Sequence, residues 1–208
     1  MLAQIPAQAR TEVARWRDED WPLTVRRQEA DCASDQLCVG IALPPQNGDK
    51  IRLPLRVAQN TVSRFCPPLF LSRIVPALPP HWRDAVMRLH EAAQLAGISV
   101  QVFGSAALQS LTGLTYLHAA SDLDLLLQPS TPKQLEVCQR LFRAFETQLP
   151  LDGEIIFGAA AAVAIREWCN AAHQAGAFRV LVKQATGVAL MRKEVLMPLL
   201  DCPICMPI

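Results

Sequence analysis

Apolar residues recur along this chain with two different periods, and the switches between them divide it into elements. Trp82, Val86, Leu89 and Ala93 fall on one helical face while Arg83, Arg88 and Glu91 fall elsewhere, which predicts a helix over residues 81–96 ended by Gly97. The same spacing returns in Leu135, Cys138, Leu141, Phe142 and Phe145, a helix over 133–147 that follows the turn residues Pro129 to Pro132. Between these helices, residues 100–103 are a β-type run, Gly104 and Ser105 follow, and Ala106, Ala107, Leu108, Leu111 and Leu114 resume helical spacing. Residues 123–127 and 151–157 have the length and composition of buried strands, interrupted by acids. The Ala-rich stretch 159–175 is expected to be a helix and 178–183 a final strand.

The first third of the chain has a different texture. Residues 23–25 and 37–43 have strand composition, Pro44, Pro45, Asn47 and Gly48 supply turn chemistry, and 50–53 alternates polar with apolar. A hairpin over 37–57 follows from this. Three prolines within 75–80 interrupt regular structure, so the expected domain boundary lies there, with a small β-rich domain at 1–78 and a mixed helix-and-strand domain at 79–208. The fold class expected is α+β.

A chain of 208 residues holds one large domain or two small ones with a real core, and its sixteen prolines point to short, Pro-terminated elements. A formal charge of +1 gives no broad attraction to nucleic acid, which disfavours a polymerase-like role. Seven cysteines without regular spacing fit a reducing cytoplasm, and Cys202 and Cys205, with no second pair, are read as a tail rather than a zinc site. The first 22 residues carry Arg10, Glu12, Arg15, Arg17, Asp18, Glu19 and Asp20 and so lack a signal-peptide core. No apolar stretch approaches the ~18 residues of a membrane span. A soluble cytoplasmic protein, binding neither membrane nor nucleic acid, is expected.

The candidate chemistry lies between Val102 and Gln128. Gly104 sits at a strand-to-helix turn, where glycine permits tight turning and close approach of a ligand. Ser105 can cap the helix, whose free N–H groups favour an anion such as phosphate. Asp122 and Asp124 are two apart on a strand and therefore share a face. Carboxylates so close repel one another unless a cation lies between them, and Mg2+ takes such oxygens together with substrate phosphates. A second acidic strand offers Asp152 and Glu154, again two apart; the sequence does not choose between them, although apolar neighbours on its C-terminal side place Glu154 more firmly within the strand. Arg166 and Lys183, the latter at the end of an apolar strand, are candidate contacts for a polyphosphate, and Arg26 and Arg27 form a basic pair after the first strand.

The Gly104–Ser105 turn with the Asp122 and Asp124 strand resembles the signature of the nucleotidyltransferase superfamily of DNA polymerase beta type. Five motifs in order resemble one branch of it, the phosphoribosyl-dephospho-CoA transferase (holo-acyl-carrier-protein synthase) of malonate decarboxylase. They are Leu111 to Leu114 (LTGL), Ser121 to Leu125 (SDLDL), Leu151 to Ile155 (LDGEI), Arg166 to Trp168 (REW) and Val180 to Lys183 (VLVK).

The resemblance implies a nucleotidyltransferase-like α/β domain with a mixed sheet, and Mg2+ held by Asp122, Asp124 and either Asp152 or Glu154. It implies Gly104, Ser105, Arg166 and Lys183 as substrate contacts, with Asp122, Asp124 and Glu154 as the catalytic set. The donor implied is 2'-(5''-triphosphoribosyl)-3'-dephospho-CoA, and the acceptor a serine of the apo acyl-carrier protein of malonate decarboxylase, with a phosphodiester formed and pyrophosphate released. The N-terminal unit is then a candidate surface for the carrier protein or the donor's pantetheine arm. The residues by themselves support only a metal-dependent phosphoryl or nucleotidyl transfer, with no nucleophile required of this chain and no Gly-x-Ser-x-Gly elbow present. Two other readings stand beside it: a transferase of the same superfamily using an ordinary NTP, and a non-catalytic adaptor of a decarboxylase complex. Four acids kept on two strands speak against the second.

Overall fold

Two units make up the computed structural model, which describes residues 7–45, 51–158, 161–171 and 179–200. One comprises residues 1–67 with Leu114–Tyr116, the other 68–113 with 117–208. The fold is α+β, as the sequence pattern indicated.

The first unit carries helix α1 (Ala7–Asp18) and a three-stranded antiparallel sheet of β1 (Thr24–Val25), β2 (Gln36–Ala42) and β3 (Arg52–Ala58) in that order. The expected hairpin is present, with Leu37 opposite Val57. Its core is Trp16 with Cys38, Val39, Ile41 and Leu43, all buried, and Tyr116, whose hydroxyl donates to the Ala42 carbonyl at 2.8 Å. Helix α1 has no counterpart in the sequence reading, because its charged residues leave too sparse an apolar stripe to register as periodic.

The second unit starts with β4 (Leu69–Phe70), α2 (Leu71–Ile74), α3 (Pro80–Leu95), β5 (Ser99–Val102), α4 (Gly104–Thr112), β6 (Leu123–Gln128) and α5 (Pro132–Phe145). It continues with β7 (Leu151–Phe157), β8 (Ala161–Ala164), α6 (Ile165–Ala171), β9 (Arg179–Lys183), β10 (Val188–Arg192) and α7 (Lys193–Leu196). Its seven-stranded sheet has the order β10-β9-β8-β7-β6-β5-β4. Only β6 and β7 run parallel, and α5 supplies the crossover that a parallel pair requires. Thr131 caps α5 by accepting from the Gln134 N–H, and Pro132 follows at the first helical position.

Alternation along the central strands decides which face is core. Leu123, Leu125 and Leu127 of β6 and Leu151, Ile155 and Phe157 of β7 are fully buried against Trp82, Val86 and Leu89 of α3, and Leu135 and Phe142 of α5. Each such side chain removed from water stabilises the fold by about 1.5–3 kcal/mol. The intervening positions, among them Asp124, Asp152 and Glu154, therefore project from the opposite face.

The structure departs from the sequence reading at further points. The division between units falls at Pro67 and Pro68, not at 78/79, because Leu69 pairs with Val102 and Leu71, Ile74 and Leu78 are buried in the second unit's core. The Pro-rich stretch ends one short helix and opens α3. Residues 161–164 are a strand rather than part of a helix, since β8 is hydrogen-bonded to β7 and β9, and sheet pairing overrides the helix preference of alanine. Strand β9 is followed by β10 through a turn in which the Gln184 N–H donates to the Gly187 carbonyl at 2.8 Å. Gly48 and the Cys202–Cys205 pair lie outside the described residues. Among those described, no helix is long and apolar enough to cross a membrane.

Candidate active site

The acids sit where the parallel pair brings two strands into register. Asp124 of β6 is the direct partner of Asp152 on β7, and Leu126 is the partner of Glu154. Asp124, Asp152 and Glu154 share the face turned away from the core, while Asp122 lies exposed just before β6. A tight turn fixes the approach to Asp122: Ser121 Oγ accepts from the His118 N–H at 3.0 Å, His118 Nδ1 from the Ala120 N–H at 3.2 Å, and the Ser121 N–H donates to the His118 carbonyl at 2.9 Å. The Leu123 N–H then donates to the Pro150 carbonyl at 2.8 Å, which locks the two acidic strands at their start.

Gly104 opens α4 with φ +66°, and a Cβ there would collide with the Asp124 carboxylate, lying 3.1 Å from its Cγ. Glycine is thus required twice over, by backbone conformation and by the carboxylate packed against it. The Phe103 N–H donates to the Asp124 carbonyl at 3.1 Å and ties the turn to the strand. Ser105 is half-buried within the first turn and does not cap the helix: the capping position is Phe103, in extended backbone, with no side-chain cap hydrogen bond.

Lys183 and Glu154 form an ion pair at 2.5 Å. Lys183 lies on β9 and Glu154 on β7, and the strand between them offers only Ala162 and Ala164 on that face, so the lysine stem can cross over β8. Arg166, in the first turn of α6, donates Nη2 to the Leu151 carbonyl at 2.6 Å and lies 3.9 Å from Asp152 Oδ1 and 3.7 Å from Glu146 Oε2. Its guanidinium also stacks over Phe142 at 5.4 Å. Both cations therefore flank the acids, Arg166 beside Asp152 and Lys183 beside Glu154. In the other unit, Arg26 is paired with Glu29 at 3.1 Å and Arg27 is exposed.

Two adjoining domain models match residues 2–194: the N-terminal domain of phosphoribosyl-dephospho-CoA transferase MdcG over residues 2–68 and its C-terminal domain over 69–194. The chain belongs to the phosphoribosyl-dephospho-CoA transferase family. It is 36% identical over 205 residues to the phosphoribosyl-dephospho-CoA transferase of Xanthomonas campestris pv. campestris strain 8004, covering 95% of this chain and 93% of that relative. The proteins of that name from Bradyrhizobium diazoefficiens and Pseudomonas aeruginosa are 34% and 30% identical, covering 88% and 91% of this chain and 78% and 86% of their own lengths. No solved structure matches. The family's two domain models meet at 68/69, one residue from the structural division.

In this transferase family member, Asp124 and Asp152 stand side by side in the ladder, and carboxylate oxygens of this kind are the donors that hard divalent cations take. Among the described residues no three His, Cys, Asp or Glu side chains are grouped so as to hold a metal ion, and the expected set of Asp122, Asp124, Asp152 and Glu154 is not gathered into one.

The sequence reading passed over Gly153, which lies between the two candidate acids of β7. Its φ is +149°, and a Cβ there would strike the backbone of Leu125, its register partner, with the Leu125 nitrogen at 2.7 Å. A lone glycine inside a strand pattern is the signal that marks such a close backbone approach.

Proposed function

We propose that the chain transfers the phosphoribosyl-dephospho-CoA group from 2'-(5''-triphosphoribosyl)-3'-dephospho-CoA to a serine hydroxyl of the apo acyl-carrier protein of malonate decarboxylase, with Mg2+ as cofactor. The observation that carries the catalytic assignment is the register of Asp124 against Asp152 beside the Gly104 turn. It favours Asp152 over Glu154 as the third acid, because Glu154 stands one row further along the strand and is already neutralised by Lys183.

The serine oxygen bonds to the phosphorus next to the ribose, the bond from that phosphorus to the outer two phosphates breaks, and the hydroxyl proton leaves to a nearby base or to water. Mg2+, held by Asp122, Asp124 and Asp152, would neutralise the polyphosphate and favour both hydroxyl ionisation and pyrophosphate departure. Gly104 keeps the turn free of a side chain, so donor phosphates can approach the first-turn N–H groups of α4. Arg166, anchored on the Leu151 carbonyl, holds Asp152 in place and presents positive charge beside it. Lys183 can exchange Glu154 for a phosphate oxygen.

The test is a mass measurement. Incubated with the triphosphoribosyl donor, Mg2+ and this chain, the apo carrier protein gains the mass of phosphoribosyl-dephospho-CoA, and an equal amount of pyrophosphate appears. An unchanged carrier, with modification seen instead when ATP or another NTP replaces the donor, would overturn the proposal in favour of an ordinary nucleotidyltransferase.

A further inference from the structure

The open face of the seven-stranded sheet continues past the acids to the β9–β10 hairpin, and its side chains there are of a different kind. Val180 and Val182 are fully buried in the core and Met191 packs against it, so Arg179, Leu181 and Lys183 of β9 and Val188, Leu190 and Arg192 of β10 project from the other face. Leu181 stands opposite Leu190, with 38% and 61% of their surface exposed, and Val188, 51% exposed, stands opposite Lys183. Strand β10 ends the sheet. An edge strand that displays apolar side chains is an adhesive surface which natural proteins normally blunt or cover.

The charges beside this apolar strip indicate what covers it. Arg179 and Arg192 are direct cross-strand partners and both are exposed. Like charges directly opposed destabilise a sheet, and among the described residues no carboxylate is paired with either arginine. An acidic group from outside the chain would convert that repulsion into attraction. Bulky exposed side chains at the rim of a sheet, with basic ends, suit a macromolecular surface better than a small ligand, which is generally enclosed by a concavity.

We propose that the β9–β10 face docks the acceptor protein, through a surface of that protein carrying acidic side chains around apolar ones. This rests on the reading that the acceptor is a carrier protein. The hairpin begins three strands from β6, about 14 Å at ordinary strand spacing, so a protein seated on it can extend a serine-bearing segment along the same face to Asp124 and Asp152. Alanines at β8 leave the path between them low.

The experiment uses the full chain with Arg179→Glu/Arg192→Glu, the milder Arg179→Ala/Arg192→Ala, and Leu190→Ser, none of which touches the acids. Transfer is followed by carrier mass while carrier and donor concentrations are varied separately. Charge reversal raises the carrier KM about tenfold or more, alanine and Leu190→Ser raise it less, and the donor KM and the rate at saturating carrier stay within about twofold. Raising salt weakens carrier use by the wild type and has little effect on the charge-reversed variant. An unchanged carrier KM in variants that retain wild-type melting temperature overturns the docking face, and a raised donor KM instead assigns the face to the small substrate. Failure of the function reading is seen separately, as a wild-type chain that consumes donor without adding mass to the carrier, and it removes this proposal with it.

Discussion

Asp124 lies directly opposite Asp152 in the parallel ladder of β6 and β7, and Arg166 stands 3.9 Å from Asp152 Oδ1. Opposed like charges destabilise a sheet by a few tenths to about 1 kcal/mol. A divalent cation held there, as proposed, would relieve this and, by binding only the folded chain, would raise stability. Mg2+ is therefore expected to raise the melting temperature of the wild type. Asp124→Asn and Asp152→Asn should lose most of the Mg2+-dependent rise, as read by differential scanning calorimetry.

Gly104 and Gly113 open and close the same helix with similar backbone angles, φ +66° and +71°, yet only the first meets a side chain where its Cβ would be. An alanine in left-handed backbone costs about 1–2 kcal/mol at either position. Gly104→Ala also displaces the Asp124 carboxylate, and a displacement near 1 Å can cost about a hundredfold in rate. Both variants should fold. Steady-state transfer should fall about a hundredfold in Gly104→Ala and stay within a few-fold of wild type in Gly113→Ala.

The parts of this fold that were legible in the sequence are those with an uninterrupted period. Trp82, Val86, Leu89 and Ala93 announce α3, and the leucines around Asp124 announce a strand with one wet face. Strands β4 and β8 were hidden because two and four residues are too few to establish a period, and the alanines of β8 carry a helical preference that only pairing with its neighbours overrides. Missing β4 moved the expected domain boundary past Pro67 to the prolines near α3. At the site, parity alone could place Asp152 and Glu154 on one face. Choosing between them needs the parallel register with β6 and the Lys183 pairing, and neither is encoded locally.

Gly153 is expected to be the least replaceable glycine of the second unit. Its hypothetical Cβ meets the Leu125 main chain, which cannot rotate away as a side chain would. Gly153→Ala must separate β6 from β7 or change the backbone angle, a loss of more than about 2 kcal/mol. Urea denaturation should show a lowered midpoint, and Mg2+ should restore little of it because the Asp124–Asp152 register is disturbed.

Acid should weaken the first unit through one arginine. Arg56 donates to Glu29 at 2.7 Å and to Asp31 at 2.6 Å and holds both carboxyls below their ordinary range. For carboxyls lowered in the folded state, the stabilisation is fully present above the ordinary carboxylate pKa of about 4 and is lost as pH falls through the lowered values. Arg56→Met should lower stability at neutral pH and flatten its decline below about pH 4, measured by near-ultraviolet circular dichroism of the tryptophans near this sheet.

The proposed chemistry depends on which acids face the reacting phosphate. The direct measurement is the single-turnover rate of carrier modification at saturating donor and Mg2+, compared across Asp124→Asn, Asp152→Asn and Glu154→Gln. The register predicts losses of about a thousandfold or more for the two aspartates and only about tenfold for the glutamate, whose role is to hold Lys183. A glutamate variant as inactive as Asp124→Asn, beside an Asp152→Asn that retains near wild-type rate, would contradict it.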